Sequence, residues 1–374
     1  MNQATLDLFE TSVGGSPNAV ALGPNARENL KDRSKAGEGP GSASEEVVLG
    51  ELVWYSVSDA VRLTPEVLKE SIEAAELDPK KLMPRAPTPP SALSRAADAA
   101  QVKGRRLLRG RSGEPIHEEL YANVLLRSAA RGVKQVVTEI LDAANARLSY
   151  RPVATVSPGY TNGTPDGTIQ VERHLEDGDV PDEELLEAEL DAISNLKTYY
   201  DFEKSRHDGE AARRVLGRIL FEANAVPLRN SGGMYFIPRG HNAAAGSILG
   251  FIEEVRVRAE SAPTRTPRAS MSMKVPLVDR EEYREVLAES VEYFVQKEAK
   301  SLIHEMSELL KADKTVSVKR GKAFVERVRT LRENVAEYEE LLEMQATEAR
   351  AKLDIAAREA KALLRSVQPQ SPDS

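Results

Sequence analysis

The most basic stretch of the chain lies between residues 103 and 111, where five of nine positions are cationic. These are Lys103, Arg105, Arg106, Arg109 and Arg111. Five cations on a flexible segment would contact several phosphates of a nucleic acid, with an affinity that depends on salt and not on base sequence. The alternative is a charged linker. Leu107 and Leu108 indicate a short amphipathic helix under either interpretation.

A second group of arginines occurs in a segment at 208–238. Arg213, Arg214 and Arg218 lie on a predicted helix, and a hairpin with the turn sequence Asn-Ser-Gly-Gly follows it. Two helices and a two-stranded wing are the order of a winged helix, which would place these arginines against DNA. An ordinary α+β core with exposed arginines is the favoured alternative, because the strand predicted after the next helix fits a larger sheet better.

Motifs for catalysis are absent from the sequence. There is no cysteine, and the five histidines are far apart, without the spacing of metal ligands. No phosphate-binding loop or nucleophile elbow is present. We therefore expect a non-enzymatic protein without metal or cofactor. An active site without a linear motif is the alternative, and it would lie near Tyr235, Arg239 and His241.

Composition narrows the class of protein further. The 374 residues are 41% hydrophobic, 29% charged and only 5% aromatic, with a net charge of −8. Such acidity argues against coating of nucleic acid through bulk charge, but it allows a local basic patch. The sequence contains neither a long apolar run nor a secretory signal, which predicts a cytoplasmic protein without a membrane partner.

The elements that must position these residues follow from periodicity and turn chemistry. Residues 1–47 are predicted to be a disordered leader, 48–83 a small strand–helix module with Thr64 as N-cap, and 84–113 a proline-rich and then basic linker. A central α+β domain is expected at 114–278, long helices at 279–366 and a disordered tail at 367–374.

Within the central domain, apolar residues at three-four spacing predict a helix over 118–147. A β-hairpin with a long mobile loop is expected at about 147–174, and a second hairpin at 225–238. Helices are predicted at 181–205, 208–224 and 242–257, followed by a strand at 271–278.

The last hundred residues show a sustained apolar seam. From Phe324 to Leu363 its steps alternate between four and three residues, apart from one additional four-residue step after Tyr338. This pattern predicts two long helices, at 279–312 and 320–365, with a stutter in the second. They would form a helical hairpin or a coiled coil with another copy, giving a homo-oligomer. The predicted fold class is thus α+β and predominantly helical, with a small antiparallel sheet and hairpins in the centre.

The peptide at the start of the chain resembles a known binding motif. Gln3, Leu6, Leu8 and Phe9, within "QATLDLF", resemble sliding-clamp-binding peptides. In the commonest bacterial form the glutamine directly precedes the aliphatic-x-Leu-Phe core, and in the archaeal and eukaryotic form a second aromatic follows; this peptide lacks both features. The resemblance implies that these four residues bind a sliding clamp. The alternative is a helix that docks on the protein itself.

The body of the chain is similar to uncharacterised proteins of actinobacterial phages and plasmids. The similarity is carried by "ELVWYSVSDAVRLTPEVLKESIEAAELDPKKLMP", "LRNSGGMYFIP" and the trailing long helices. Together these features predict an accessory or adaptor protein in DNA replication or recombination of a mobile element. A structural, scaffolding coiled-coil protein without a nucleic-acid role is the alternative.

Overall fold

The computed structural model describes residues 47–109, 115–174, 183–229, 233–266, 268–311 and 317–367. Almost all of the predicted leader and tail therefore lie outside the described residues, as does Arg111. No helix within the described ranges is both long and apolar enough to span a bilayer.

The described residues form nine α-helices, one short 3₁₀ helix at Arg239–His241 and twelve strands. The helices are α1 (Pro65–Ala74), α2 (Pro79–Leu82), α3 (Pro89–Ala100), α4 (Glu183–Glu203), α5 (Gly209–Glu222), α6 (Asn242–Arg258), α7 (Glu281–Lys311), α8 (Val318–Leu342) and α9 (Thr347–Val367). The strands are β1 (Val48–Ser56), β2 (Val61–Leu63), β3 (Val102–Arg109), β4 (Pro115–Ala130), β5 (Val133–Leu141), β6 (Arg147–Thr161), β7 (Thr164–Arg173), β8 (His207–Asp208), β9 (Val226–Pro227), β10 (Met234–Pro238), β11 (Glu260–Ser261) and β12 (Met271–Val278).

Three sheets arise from these strands, and the chain divides into two compact units. Unit 1 comprises the described residues up to Tyr55, Ile219–Ala245 and those from Met273 onward, and it holds the sheet β12-β1-β10-β9. Unit 2 comprises Ser56–Arg218 and Gly246–Ser272. It holds the short sheet β11-β2-β8 and the five-stranded sheet β3-β4-β5-β6-β7, a curled half-barrel.

The core of unit 2 lies between the five-stranded sheet and two helices. α3 contributes a small-residue face, which lets the helix approach the strands closely. α4 contributes larger residues, among them the fully buried Leu196 and Tyr200. Val124, Val136 and Val156 meet them from three neighbouring strands. One face of the sheet is therefore covered by helices.

The core of unit 1 is formed by α7, α8 and α9 together with the first sheet. All twelve seam positions between Phe324 and Leu363 are buried, as are five of the matching positions on α7. Leu49, Val226 and Phe236 of the sheet belong to the same cluster. The apolar positions predicted to pair helices, within the chain or between copies, are thus buried within the chain.

The predicted helical hairpin of two long helices is wrong, because the structure has three helices. α8 ends at Leu342, and Glu343 adopts a left-handed conformation with φ of 53°. The additional four-residue step, from Leu342 to Ala346, coincides with this break. Where we expected a stutter inside one helix, it marks the connection at which the chain leaves α8 and enters α9.

The predicted small central sheet is also wrong, because residues 118–147 form strands and not a helix. β4 and β5 pair in antiparallel register from Tyr121 opposite Leu141 to Ala130 opposite Val133, which covers the whole of β5. Val136 and Val137 are both fully buried although they point to opposite faces of the sheet. Burial on both faces removes the alternation that identifies a strand, and the remaining apolar run coincides with helical spacing.

The segment predicted as a linker is likewise structured. Thr88 caps α3 by accepting a hydrogen bond from Ser91 N, and two prolines occupy the first turn, where a missing N–H is harmless. The basic run that follows is a strand, β3, and not a flexible or helical segment. It pairs with β4 at the edge of the five-stranded sheet.

Several local predictions are confirmed. Thr64 Oγ1 accepts a hydrogen bond from Val67 N at the start of α1. The hairpin at 147–174 is present as β6 and β7, but its loop is the two-residue turn Asn162-Gly163, in which both residues have positive φ. The second hairpin is present as β9 and β10, and α4, α5, α6 and β12 lie where they were predicted.

Candidate nucleic-acid interface

The basic run at 103–111 does not form one continuous patch, because strand geometry sends its side chains to opposite faces of the sheet. Arg105 points toward α4, where it donates to Asp191 Oδ2 at 2.7 Å and to Glu187 Oε2 at 2.8 Å. The hydrogen bond to Asp191 raises the pKa of the Arg105 guanidinium. Its charge is therefore balanced within the protein.

Arg106 lies on the other face and remains available. Its side chain is 58% exposed, and it forms an ion pair of 3.8 Å with Glu119, whose side chain is 56% exposed. Exposed ion pairs of this kind contribute little to the stability of the fold. Lys103 is exposed on the same strand, Arg109 is the last residue of β3, and Arg111 lies outside the described residues.

The three arginines of α5 are engaged locally within unit 2. Arg213 donates to Val57 O at 3.0 Å and to Asp59 Oδ1 at 2.8 Å. Arg218 donates to Lys81 O and Leu82 O, and Arg214 pairs with Glu210 one turn away on the helix. Arg213 and Arg218 thus hold chain segments in place, and these arginines lie on a different element from the cations of β3.

The residues of the alternative active site make separate contacts. Tyr235 is buried and its ring stacks on Tyr55, with centroids 5.8 Å apart. Burial raises the pKa of the Tyr235 phenol. Arg239 is exposed, and His241 Nε2 lies 3.3 Å from Glu337 Oε1.

Sequence reasoning missed the group of residues that the five-stranded sheet brings together on the face bearing Arg106. Directly opposite residues on neighbouring strands share a face. Arg106 is opposite Tyr121, Tyr121 is opposite Leu141, and Leu141 is opposite Arg147. This row therefore places two arginines and a tyrosine across four strands.

A second row lies beside the first, two residues along β4 and β5 and three along β6, where the register shifts. Asn123 is opposite Glu139, and Glu139 is opposite Tyr150. The Arg147 guanidinium lies 5.1 Å from the centroid of the Tyr150 ring, which is 48% exposed. We call the six polar and aromatic residues of the two rows the sheet-face cluster: Arg106, Tyr121, Asn123, Glu139, Arg147 and Tyr150.

Two guanidinium groups on the face of the cluster are accessible to an anionic ligand. The Arg106 side chain is 58% exposed and that of Arg147 is 56% exposed. Tyr150 is exposed and Tyr121 is half-buried, and tyrosines beside arginines are the combination with which proteins stack unpaired bases and contact the phosphates between them. The sequence signal for this cluster was the β-branched run of β5, which the helical interpretation of 118–147 concealed, and the alternation within β6, which was predicted as a strand.

Another polar cluster of unit 2 is buried and internally paired. Glu203 accepts hydrogen bonds from Arg62 Nε at 2.7 Å and from Arg95 Nε at 2.7 Å, and Arg95 also donates to Asp208 Oδ2 at 3.3 Å. Burial lowers the pKa of the neighbouring His207. The positive charges of Arg214 and Arg95 lower this pKa further, whereas the negative charge of Asp208 raises it. Because the arginine and carboxylate charges are paired with one another, we interpret this cluster as structural.

Metal chemistry finds no support in the part of the chain that the structure describes. It contains no group of three or more His, Asp or Glu residues able to hold a metal ion.

Comparison with known proteins places the chain in a family. Residues 48–369 match DUF6744, a family of unknown function. The chain belongs to DUF6744. No curated protein and no solved structure matches it.

The extent of the DUF6744 match separates two of the candidate sites. The match includes all six residues of the sheet-face cluster and the three C-terminal helices. It begins after the peptide at residues 3–9. The sheet-face cluster is therefore part of the DUF6744 region, and the clamp-like peptide lies outside the matched residues.

Proposed function

We propose that this DUF6744 protein is a non-enzymatic accessory protein that binds single-stranded nucleic acid through the sheet-face cluster. The observation that carries the proposal is the pairing of exposed Arg106 and Arg147 with Tyr121 and Tyr150 on one face of the five-stranded sheet. The tyrosine rings would stack on bases, and the guanidinium groups would contact phosphates. Unpaired bases are favoured as ligand because duplex bases are not free to stack on a sheet.

Binding should depend on both arginines and on salt. We expect Arg106→Ala/Arg147→Ala to weaken binding of a labelled single-stranded oligonucleotide by at least tenfold at low salt, measured by fluorescence anisotropy. Each phosphate contact on a single strand contributes about 0.7 to the slope of log affinity against log salt, so the slope should become shallower by about 1.4.

A matched control removes the same charge elsewhere. Arg329 and Arg358 lie on α8 and α9, so Arg329→Ala/Arg358→Ala should leave both affinity and salt slope near the wild-type values. Equal losses in the two double variants would indicate a general charge effect and would refute the sheet-face site. Tighter binding of duplex than of single strands by the wild type would refute the stacking role of the tyrosines.

We also propose that the peptide containing Gln3, Leu6, Leu8 and Phe9 tethers the protein to a sliding clamp. Its resemblance to clamp-binding peptides supports this role, as the similarity of the body to proteins of actinobacterial phages and plasmids supports a role in replication or recombination of a mobile element. Burying two or three apolar side chains in a pocket is sufficient for micromolar affinity.

The tether is tested apart from nucleic-acid binding. We expect Leu6→Ala/Phe9→Ala to abolish capture of a purified bacterial sliding clamp while leaving the circular dichroism spectrum and oligonucleotide affinity unchanged. Capture that survives the double substitution would refute the tether. The scaffolding alternative would need an apolar helical face open to another copy, and since the seam is buried within the chain we do not propose it.

A further inference from the structure

One carboxylate of the sheet-face cluster is unusually enclosed for its position. The side chain of Glu139 is 9% exposed, whereas that of its neighbour Arg147 is 56% exposed. Glu139 Oε1 accepts a hydrogen bond from Asn123 Nδ2 at 3.0 Å, and Asn123 Oδ1 in turn accepts one from Gly104 N at 2.8 Å. These two bonds, across three strands, fix the orientation of the carboxylate.

The other oxygen of this carboxylate has no hydrogen-bond donor. Glu139 Oε2 is buried and accepts no hydrogen bond within the structure, although Arg147 Nε lies 3.1 Å away as an ion pair. A buried acceptor without a donor is unfavourable and rare in folded proteins. The Arg147 side chain is exposed enough to turn outward, which would open Oε2 to a donor from a ligand.

The surroundings of Oε2 indicate what kind of ligand supplies that donor. Tyr150 is directly opposite Glu139 on the neighbouring strand, so the two Cβ atoms are about 5 Å apart. A base stacked on the half-exposed Tyr150 ring would direct its hydrogen-bonding edge toward the carboxylate. Arg147, which lies 5.1 Å from the centroid of this ring, would turn outward as the base stacks and contact the adjoining phosphate.

We propose that Glu139 is a specificity residue that accepts a hydrogen bond from the exocyclic amino group of a base stacked on Tyr150. This inference rests on the proposed function and adds a base preference to it. Cytosine, adenine and guanine each carry such an amino group at the edge of the ring. Thymine has only an N3–H donor between two carbonyl oxygens, whose lone pairs repel a carboxylate. The site therefore favours cytosine over thymine among bases of equal size.

The preference is measured with oligo-dC and oligo-dT of equal length in anisotropy titrations of the full chain. We expect about tenfold tighter binding of oligo-dC, the lower end of what a specific base contact contributes. Glu139→Gln should abolish or reverse this preference. Its amide oxygen keeps the bond from Asn123, and its NH₂ group replaces the acceptor with a donor, which suits the thymine O4 carbonyl.

Glu172→Gln serves as the matched control, because Glu172 is an exposed carboxylate on β7, and it should retain the preference for oligo-dC. Thermal unfolding followed by circular dichroism checks that both variants remain folded. Equal affinity of the wild type for the two oligonucleotides, or an unchanged preference in Glu139→Gln, overturns the role of Glu139 but leaves the proposed function intact. If the wild type binds neither oligonucleotide, both proposals are overturned.

Discussion

Glu203→Ala is expected to lower the free energy of unfolding by about 3–5 kcal/mol, because it breaks a buried ion pair and leaves a charge without compensation. The side chain of Glu203 is 2% exposed and that of Arg62 is 4% exposed. Without the carboxylate, the Arg62 guanidinium retains only the carbonyl oxygens of Asp59 and Val61. Arg95 keeps Asp208 as a more distant partner. The loss should be visible as a lower urea midpoint by circular dichroism.

Two further variants separate charge from packing. Arg62→Met/Glu203→Leu removes both charges and retains apolar volume, so it should recover most of the stability lost in the single variant. Glu253→Ala breaks an exposed pair with Arg256 and should cost less than about 1 kcal/mol. If Glu203→Ala were no more destabilising than Glu253→Ala, the buried cluster would contribute nothing specific to the fold.

The second large effect is expected in unit 1, at Tyr338. This residue is 2% exposed, its ring lies 6.3 Å from that of Phe236, and its hydroxyl donates to Asn224 O at 2.5 Å. Burial raises the pKa of the phenol well above its ordinary value, so the hydroxyl remains a donor. We expect Tyr338→Ala to lower the free energy of unfolding by about 3–5 kcal/mol, since it leaves a cavity where helix and sheet meet.

Tyr338→Phe keeps the ring and removes only the hydrogen bond, so it should cost about 1 kcal/mol. Tyr293→Ala on α7 is the exposed control and should change stability by less than about 0.5 kcal/mol. Urea unfolding followed by circular dichroism measures all three. Equal losses in Tyr338→Ala and Tyr338→Phe would assign the stability to the hydrogen bond and contradict the role of the ring in packing.

The basic run shows how a correct choice of residues led to an incomplete picture of the site. Charge density alone selected Lys103, Arg105 and Arg106 as candidate residues. Because this segment is a strand, the side chains of the neighbouring Arg105 and Arg106 lie on opposite faces of the sheet. Arg105 donates hydrogen bonds to carboxylates of α4 on one face, whereas Arg106 lies beside Tyr121 on the other face. Arg147, more than forty residues away in sequence, completes that row. A count of charges along the chain contains no information about such pairing.

The sequence by itself determined those features that depend on neighbours within one or two turns. The seam from Phe324 to Leu363 and the N-cap at Thr64 both follow from local spacing and local backbone preference. The identity of the buried helical positions was therefore predictable, because helical periodicity is a property of the segment itself.

Only the tertiary structure decided the five-stranded sheet and both polar clusters. β5 is buried on its two faces, so its sequence lacks the alternation that marks a strand, and only pairing with β4 and β6 determines its conformation. Arg62 and Glu203 are 141 positions apart, and the Asn123–Glu139–Tyr150 row depends on the register of three strands. Contacts of this kind arise because packing energies outweigh local preferences once distant segments meet.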